Sequence, residues 1–291
     1  MAELPGDSIK IAREYMDSLC VESRLLGAVK PCAELELLGN RFETPIMTGA
    51  LSHIDLVGMA EGARLAGAPV SIGMGDNETL NDVLKTGAKV IKIIKPYADR
   101  DEIYRRLSFA KEHGAIGVGI DIEHSLRPDS PEDDVVLGQK MHLPSLRELI
   151  DFIRFAKLPF FIKGALSVSD ALRCAELGCA GAILSHHNGI MRCAVPPVRL
   201  LPDIRKAVGN SLLLIADGGI ESGYDAFKAL ALGADAVCVG RALMQPLKDN
   251  GAEGVRQTIV TMTRQLEIML YRTGSKDIKH IDPTVIWDAS R

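Results

Sequence analysis

The chain has 291 residues and a formal net charge of -4, with a pI near 6.0. That length suits one large α/β domain, and the mild acidity argues against a nucleic-acid or anionic-membrane partner. Lys and Arg are scattered, and no apolar run approaches the roughly 18 residues that a membrane-spanning helix needs.

The N-terminal MAELPGDSIKIAREYMDSL starts acidic and has no continuous apolar stretch, so it does not read as a signal peptide; a cytoplasmic location is the expectation. Residues 1–43 read as an N-terminal cap. Within it, IKIAREYMDSL is amphipathic with Ser8 as the candidate N-cap, and AELELLGNRFE alternates as a short hairpin outside the main fold. From 44 to 291 a period emerges. Apolar strand candidates fall at Pro45–Thr48, Pro69–Ile72, Val90–Ile94, Ile116–Ile120, Phe160–Ile162, Gly181–Leu184, Leu212–Ala216 and Ala236–Val239. Helix-like runs lie between them at Leu56–Leu65, Glu78–Lys85, Arg100–Glu112, Leu143–Ala156, Val168–Leu177, Leu200–Val208 and Gly223–Leu232. Eight strands alternating with helices predict a single (β/α)8 TIM barrel with a helical cap. The junctions LAGAPV, KTGAKV, EHGAIG and LGADAV share one form, in which glycine ends a helix in a left-handed cap before the next strand. A C-terminal helix is expected over Gly254–Tyr271, followed by a tail docked by Trp287.

One connection is longer. EHSLRPDSPEDDVVLGQKMH, between Ile122 and Leu143, is acidic, bears proline and lacks helical period, which reads as a lid or substrate loop or, alternatively, as a passive insertion. The six cysteines include no CxxC pair and read as reduced thiols, five of them as small core hydrophobes. Cys193 sits in a candidate active-site loop but has no evident paired base.

The polar residues gather where strands end: Lys163-Gly164, Ser185-His186-His187-Asn188-Gly189, Asp217-Gly218-Gly219 and Gly240-Arg241. The C-terminal face of a parallel barrel carries its chemistry in this way. Glycines let backbone N–H groups approach an anion, and an arginine fork binds phosphate bidentately, so the last two turns form a candidate phosphate site for FMN or a phosphorylated sugar.

IKGALSVSDA, the Ser-x-His-x-Gly turn and IADGGIESGYDAFKALALGADAVCVGRAL resemble the FMN-dependent α-hydroxy-acid oxidases and dehydrogenases, continuously from about Leu158 to Thr273. The resemblance implies FMN as cofactor, a small-molecule substrate and a homo-oligomer, a tetramer by analogy. It implies that His187 is the general base as hydride passes to flavin N5, and that Lys163 stabilises the reduced flavin. Thr48, Gly49 and Ala50 fall among the cofactor-binding positions, with Ser185 and Asp217 toward the ribityl chain. Gly218, Gly219, Gly240 and Arg241 would cradle the phosphate. The family's Thr-x-Asp run corresponds to Asp121-Ile122-Glu123, so that Glu123 would orient His187 while Asp121 adds a second carboxylate on the same strand face.

The chain departs from the family at four points. Ile190 stands where an arginine grips the substrate carboxylate, Ile93 and Lys95 replace Gln and Tyr, and Glu221 replaces a phosphate-binding arginine. An atypical hydroxyl-bearing substrate is therefore expected, with His124, Arg127, His186, Arg192 and Lys95 as candidate contacts. No metal is expected, because adjacent histidines at a strand end point apart. Two other classes stay open: an FMN-dependent non-redox isomerase or lyase, and a flavin-free barrel that acts as a Schiff-base aldolase on Lys92, Lys95 or Lys163 or binds a phosphate ligand.

Overall fold

The computed structural model describes residues 6–127, 130, 132–136, 138–187 and 189–289. Parts of the proposed cap (1–5) and of the long connection (128, 129, 131 and 137), and Asn188 of the histidine turn, lie outside the described residues.

The chain opens with helix α1 (Ser8–Ser18), then β1 (Leu19–Val21) and the hairpin β2 (Leu35–Leu37) and β3 (Asn40–Phe42). The barrel follows as β4 (Ile46–Thr48), α2 (Leu56–Leu65), β5 (Val70–Ile72), α3 (Asn77–Lys85), β6 (Val90–Ile94), α4 (Arg100–Glu112) and β7 (Gly117–Asp121). A 3-10 turn at Glu123–Ser125 and a two-residue hairpin, β8 (Val135–Val136) with β9 (Gln139–Lys140), occupy the long connection. It therefore carries regular structure that its irregular sequence does not announce. The rest is α5 (Leu146–Ala156), β10 (Phe160–Lys163), α6 (Val168–Glu176), β11 (Gly181–Leu184), α7 (Pro197–Val208), β12 (Leu213–Asp217), α8 (Gly223–Ala231), β13 (Ala236–Val239), α9 (Arg241–Arg272) and β14 (Ile286–Asp288).

Eight parallel strands run in the order β4-β13-β12-β11-β10-β7-β6-β5, and seven of the eight seams are backbone ladders. The eighth seam, between β4 and β5, is closed by a side chain. Thr48 Oγ1 donates to the carbonyl of Ser71 at 2.8 Å and accepts from its amide at 2.9 Å. Thr48, expected in the cofactor site, is thus fully buried in the barrel wall.

The strands are continuous apolar runs because both faces are covered. Val70, Val90, Ile91, Val118, Leu214, Ile215, Val237 and Val239 are all fully buried. The Gly-Ala junctions behave as read: Gly67, Gly87, Gly114 and Gly233 all have positive φ and follow helix ends. Several local readings need correction. The N-cap of α1 is Asp7, whose carboxylate accepts from the amides of Ile9 and Lys10; Ser8 instead bonds the carbonyl of Met191 and the amide of Ala194. The last helix begins at Arg241, directly after β13, and breaks only at Asn250 and Gly251. Trp287 docks the tail through its indole N–H, which donates to Glu22 at 2.9 Å, and not by burial, since it is 61% exposed. The tail is held by β14 pairing antiparallel with β1 and by buried Val285 and Ile278.

Candidate active site

The C-terminal ends of the strands bring most of the predicted residues together. One cavity is lined by Gly49, Ala50, Lys163, Ser185, His186, His187, Asp217, Gly218, Gly219, Gly240 and Arg241. Leu51, Ile220, Cys238 and Met244 complete it and were not foreseen, because an apolar side chain in a strand, a turn or a helix start leaves no mark distinguishing it from core.

At one side of the cavity lies a buried ionic cluster. Asp121 ends β7, in register with Lys163 at the end of β10, and Lys95 follows β6. Asp121 Oδ2 is 3.0 Å from Lys95 Nζ, 3.4 Å from Lys163 Nζ and 2.9 Å from His187 Nδ1. Lys95, Asp121 and Lys163 are each at least 94% buried (6%, 2% and 3% exposed). Burial alone would raise the Asp121 pKa, but Lys163, the His187 hydrogen bond and Lys95 together hold it well below the usual carboxylate range. Burial opposes the charge on Lys163 too, yet Asp121, Asp217 and Glu123 raise its pKa, so it is a fixed cation. His187 is lowered to about 4, chiefly by burial. It is neutral at physiological pH. Lys163 Nζ also lies 2.9 Å from His187 Nδ1. At Nδ1 the carboxylate can only accept and the ammonium can only donate; we take the tautomer in which Nδ1–H faces Asp121 and Lys163 donates to Asp121 Oδ2, which leaves Nε2 its lone pair.

Glu123 does not orient His187. The chain leaves the strand after Asp121: Ile122 is already helical at φ -77, ψ -21, and the 3-10 turn starts at Glu123. The two-residue alternation stops there, and Glu123 swings under Gly164. A Cβ on Gly164 (φ +99) would lie 2.7 Å from Glu123 Cγ, so this approach needs glycine. Burial raises the Glu123 pKa to about 7, against the pull of Lys163.

The histidine turn is locally strained, with His187 at φ 43, a left-handed conformation that few non-glycine residues adopt. Ser185 Oγ accepts from the His187 amide at 3.1 Å, and His186 Nδ1 accepts from the Gly189 amide at 3.0 Å. The His124 ring packs edge-on to His187 with centroids 4.1 Å apart. Arg127 and Arg192 are exposed and do not line the cavity. Cys193 is exposed and likewise outside it. Among the described residues, no group of three or more His, Cys, Asp or Glu is arranged to hold a metal ion.

The other side of the cavity is built from Gly218 (φ 109), Gly219 (φ 77), Gly240 and Arg241, the first residue of α9. Helix α1 braces this loop: Arg13 donates to the carbonyl of Gly219 at 3.2 Å and pairs with Asp225 at 2.9 Å. The donor set suits an elongated ligand with an electron-accepting ring that takes up negative charge and an anionic tail. Lys163 meets the first and the glycine loop with Arg241 the second. His186 Nε2, buried and without a partner among the described residues, lies against Gly218. Those residues fit FMN.

Comparison with known proteins agrees. An L-lactate oxidase from Lactobacillus jensenii is 28% identical over 301 residues, spanning 90% of this chain and 74% of that protein. An L-lactate oxidase from Alicycliphilus denitrificans is 39% identical over 53% of this chain and 43% of its own length. A 2-hydroxyacid oxidase from Dictyostelium discoideum is 37% identical over 46% of this chain and 35% of its own. A mandelate oxidase structure, of a variant with a monooxide FMN adduct, superposes with a TM-score of 0.86 at 22% identity, covering 96% of this chain and 92% of that one, which establishes the shared fold. The family model described as FMN-dependent dehydrogenase matches residues 126–288, more than half of the chain, and the protein belongs to that family.

Proposed function

We propose that this protein is an FMN-dependent oxidoreductase that oxidises a carbon bearing a hydroxyl group, with His187 as the general base. The observation that carries the reading is the 2.9 Å pair between Asp121 and His187 Nδ1 at the wall of a cavity that also presents a buried lysine. A neutral imidazole whose Nδ1–H is held by a permanent anion has its Nε2 lone pair available. Nε2 takes the substrate hydroxyl proton, and Asp121 stabilises the imidazolium that results. Lys163 holds positive charge at the cavity wall; Ser185 and Asp217 position the cofactor's chain, and Gly49, Ala50, Gly218, Gly219, Gly240 and Arg241 its surroundings. FMN, when bound, accepts the electron pair and the carbon-bound hydrogen. His187→Ala should leave flavin bound and abolish its reduction by substrate. Unchanged reduction kinetics in that variant would refute the base assignment.

The substrate reading follows from where the cations are. Among the described residues, Lys163 and Arg241 are the only Lys and Arg that line the cavity, and each already faces a carboxylate, Asp121 or Glu221. Lys95 is engaged with Asp121, and Ile190 offers no charge. We therefore infer a hydroxyl-bearing substrate that does not rely on an ionic carboxylate grip. Rapid-mixing measurement of flavin bleaching by a 2-hydroxy acid and by its methyl ester tests this: the ester should reduce the flavin at least as well, and strong preference for the free acid would overturn it.

Glu123 gives one specific observation in favour of a second, non-redox reading. Its carboxyl group, raised to about 7 by burial, carries the proton that isomerisation or elimination requires, although it sits behind Gly164 and not on the cavity wall. Turnover that needs prereduced flavin and consumes no oxidant would select it. The aldolase alternative is disfavoured, since Lys163 is held cationic while Lys92, lowered to about 7 by burial, bonds the Gly73 carbonyl and does not line the cavity.

Homo-oligomerisation is part of the same proposal. It is supported by apolar side chains exposed around one surface cleft, Leu25, Ile268 and Tyr271, beside exposed Leu26 and Val29; light scattering of the purified protein measures it. No helix among the described residues is long and apolar enough to cross a membrane, and six free thiols support the proposed cytoplasmic location.

A further inference from the structure

The anion-binding side of the cavity contains its own anion. Glu221 follows the glycine loop, and its Oε1 lies 3.3 Å from Arg241 Nη2, with both side chains nearly half exposed (46% and 42%). Its backbone cannot withdraw: the Glu221 amide donates to Asp225 Oδ2 at 3.1 Å, and that carboxylate is locked by Arg13 and by Ser222. The Glu221 backbone is therefore fixed beside the site, and Arg241, the one guanidinium among the described residues that lines the cavity, already has a carboxylate partner.

From this geometry we propose that Glu221 is a built-in competitor for the cofactor's phosphate, so that the phosphate adds little to flavin affinity and the cofactor exchanges readily. The inference rests on the assignment of the glycine loop and Arg241 to the phosphate. A phosphate monoester carries about -1.5 to -2 charge at neutral pH. To reach Arg241 it displaces Glu221 and then sits beside that carboxylate, where repulsion offsets the charge-assisted hydrogen bonds it gains. The pair itself is exposed and individually weak, so it yields to a ligand and does not close the site.

The test measures dissociation constants for FMN and for riboflavin, by quenching of flavin fluorescence, in flavin-stripped wild type and in Glu221→Gln. Glu253→Gln, which breaks an exposed pair with Arg256 far along α9, is the control for a general change of surface charge. Wild type should prefer FMN over riboflavin by about tenfold or less. Glu221→Gln should widen that preference by up to about fivefold, in line with one weak charge pair, while riboflavin affinity and the Glu253→Gln values stay within about twofold. A wild-type preference of a thousandfold, or equal tightening of both flavins in Glu221→Gln, would overturn the proposal and leave the flavin assignment intact. If neither flavin binds to any form, the flavin assignment and this proposal fall together.

Discussion

The two sides of the cavity handle charge in opposite ways. Around Asp121, two lysines and a histidine converge on one carboxylate oxygen in a nearly dry setting, and protonation states are fixed by burial and mutual contact. Around Arg241, one cation meets one carboxylate in partial solvent, on a loop whose shape comes from glycine and from helix α1. Charges in a low-dielectric interior interact strongly and are costly to leave unpaired, whereas exposed pairs are screened and exchangeable. The buried side is accordingly fit for proton chemistry and the exposed side for holding and releasing a ligand.

The largest effect should come from breaking the buried side at its centre. Asp121→Asn leaves Lys95 and Lys163 without their shared anion and removes the acceptor that fixes the His187 tautomer. We expect a loss of about 3–5 kcal/mol in unfolding free energy. A fall of about 10³- to 10⁴-fold is expected in the rate of substrate-dependent flavin reduction, by analogy with loss of an orienting carboxylate elsewhere. Glu123→Gln should cost less than about tenfold in that rate. Equal losses in the two variants would restore Glu123 as the orienting group. Asp121→Glu is the second measurement if the asparagine variant fails to fold.

The contrast between Asp121 and Glu123 also shows what the sequence could carry. All eight strands were legible, because a strand covered on both faces must be an unbroken apolar run, and three of them, Val90–Ile94, Gly181–Leu184 and Ala236–Val239, match to the residue. The glycine turns were legible because positive φ restricts the residue choice. What failed was the orientation of single side chains just past a strand end. Whether Asp121 or Glu123 faces His187 depends on where the strand stops, and nothing in GIDIEHS marks that point. Thr48 was misplaced for a related reason: a threonine at a strand end suits a ligand or a neighbouring strand equally, and here it closes the barrel seam. Arg192 was credited with reach by its closeness in sequence, yet the turn directs it to solvent.

The buried side can be probed more gently through pH. Glu123 has a folded pKa raised from 4.5 to about 7, so its contribution to stability is fully present below about pH 4.5 and is lost as pH rises through 7. His187 runs the other way. Its folded pKa is lowered from 6.5 to about 4, so its contribution is present above 6.5 and lost as pH falls toward 4. Glu123→Gln removes the first effect and keeps the second. Relative to wild type, the variant should therefore gain about 2 kcal/mol in stability between pH 5 and pH 8.5, a value discounted for partial exposure. Urea unfolding at the two pH values measures it. A stability difference that does not change with pH would mean that Glu123 ionises normally.

The smallest effect should come from the exposed side, and its smallness is the informative part. Arg241 sits at the start of α9, and its pairing with Glu221 spans 3.3 Å in partial solvent, so the pair should contribute no more than about 1 kcal/mol to folding. Arg241→Gln in the flavin-free protein should shift the urea midpoint correspondingly little, and 0.5 M salt should erase most of the shift, since salt screens exposed charges. In the presence of FMN the same variant should lose no more than about 1.4 kcal/mol of the stabilisation that the ligand gives wild type, the most that a tenfold phosphate contribution supplies through mass action on the folded state. A loss of 2–3 kcal/mol without flavin would show that Arg241 is structural, like the residues around Asp121, and would dissolve the division between the two sides. Little loss without flavin and a further loss of about 1 kcal/mol with it would show that this guanidinium serves the ligand and not the fold.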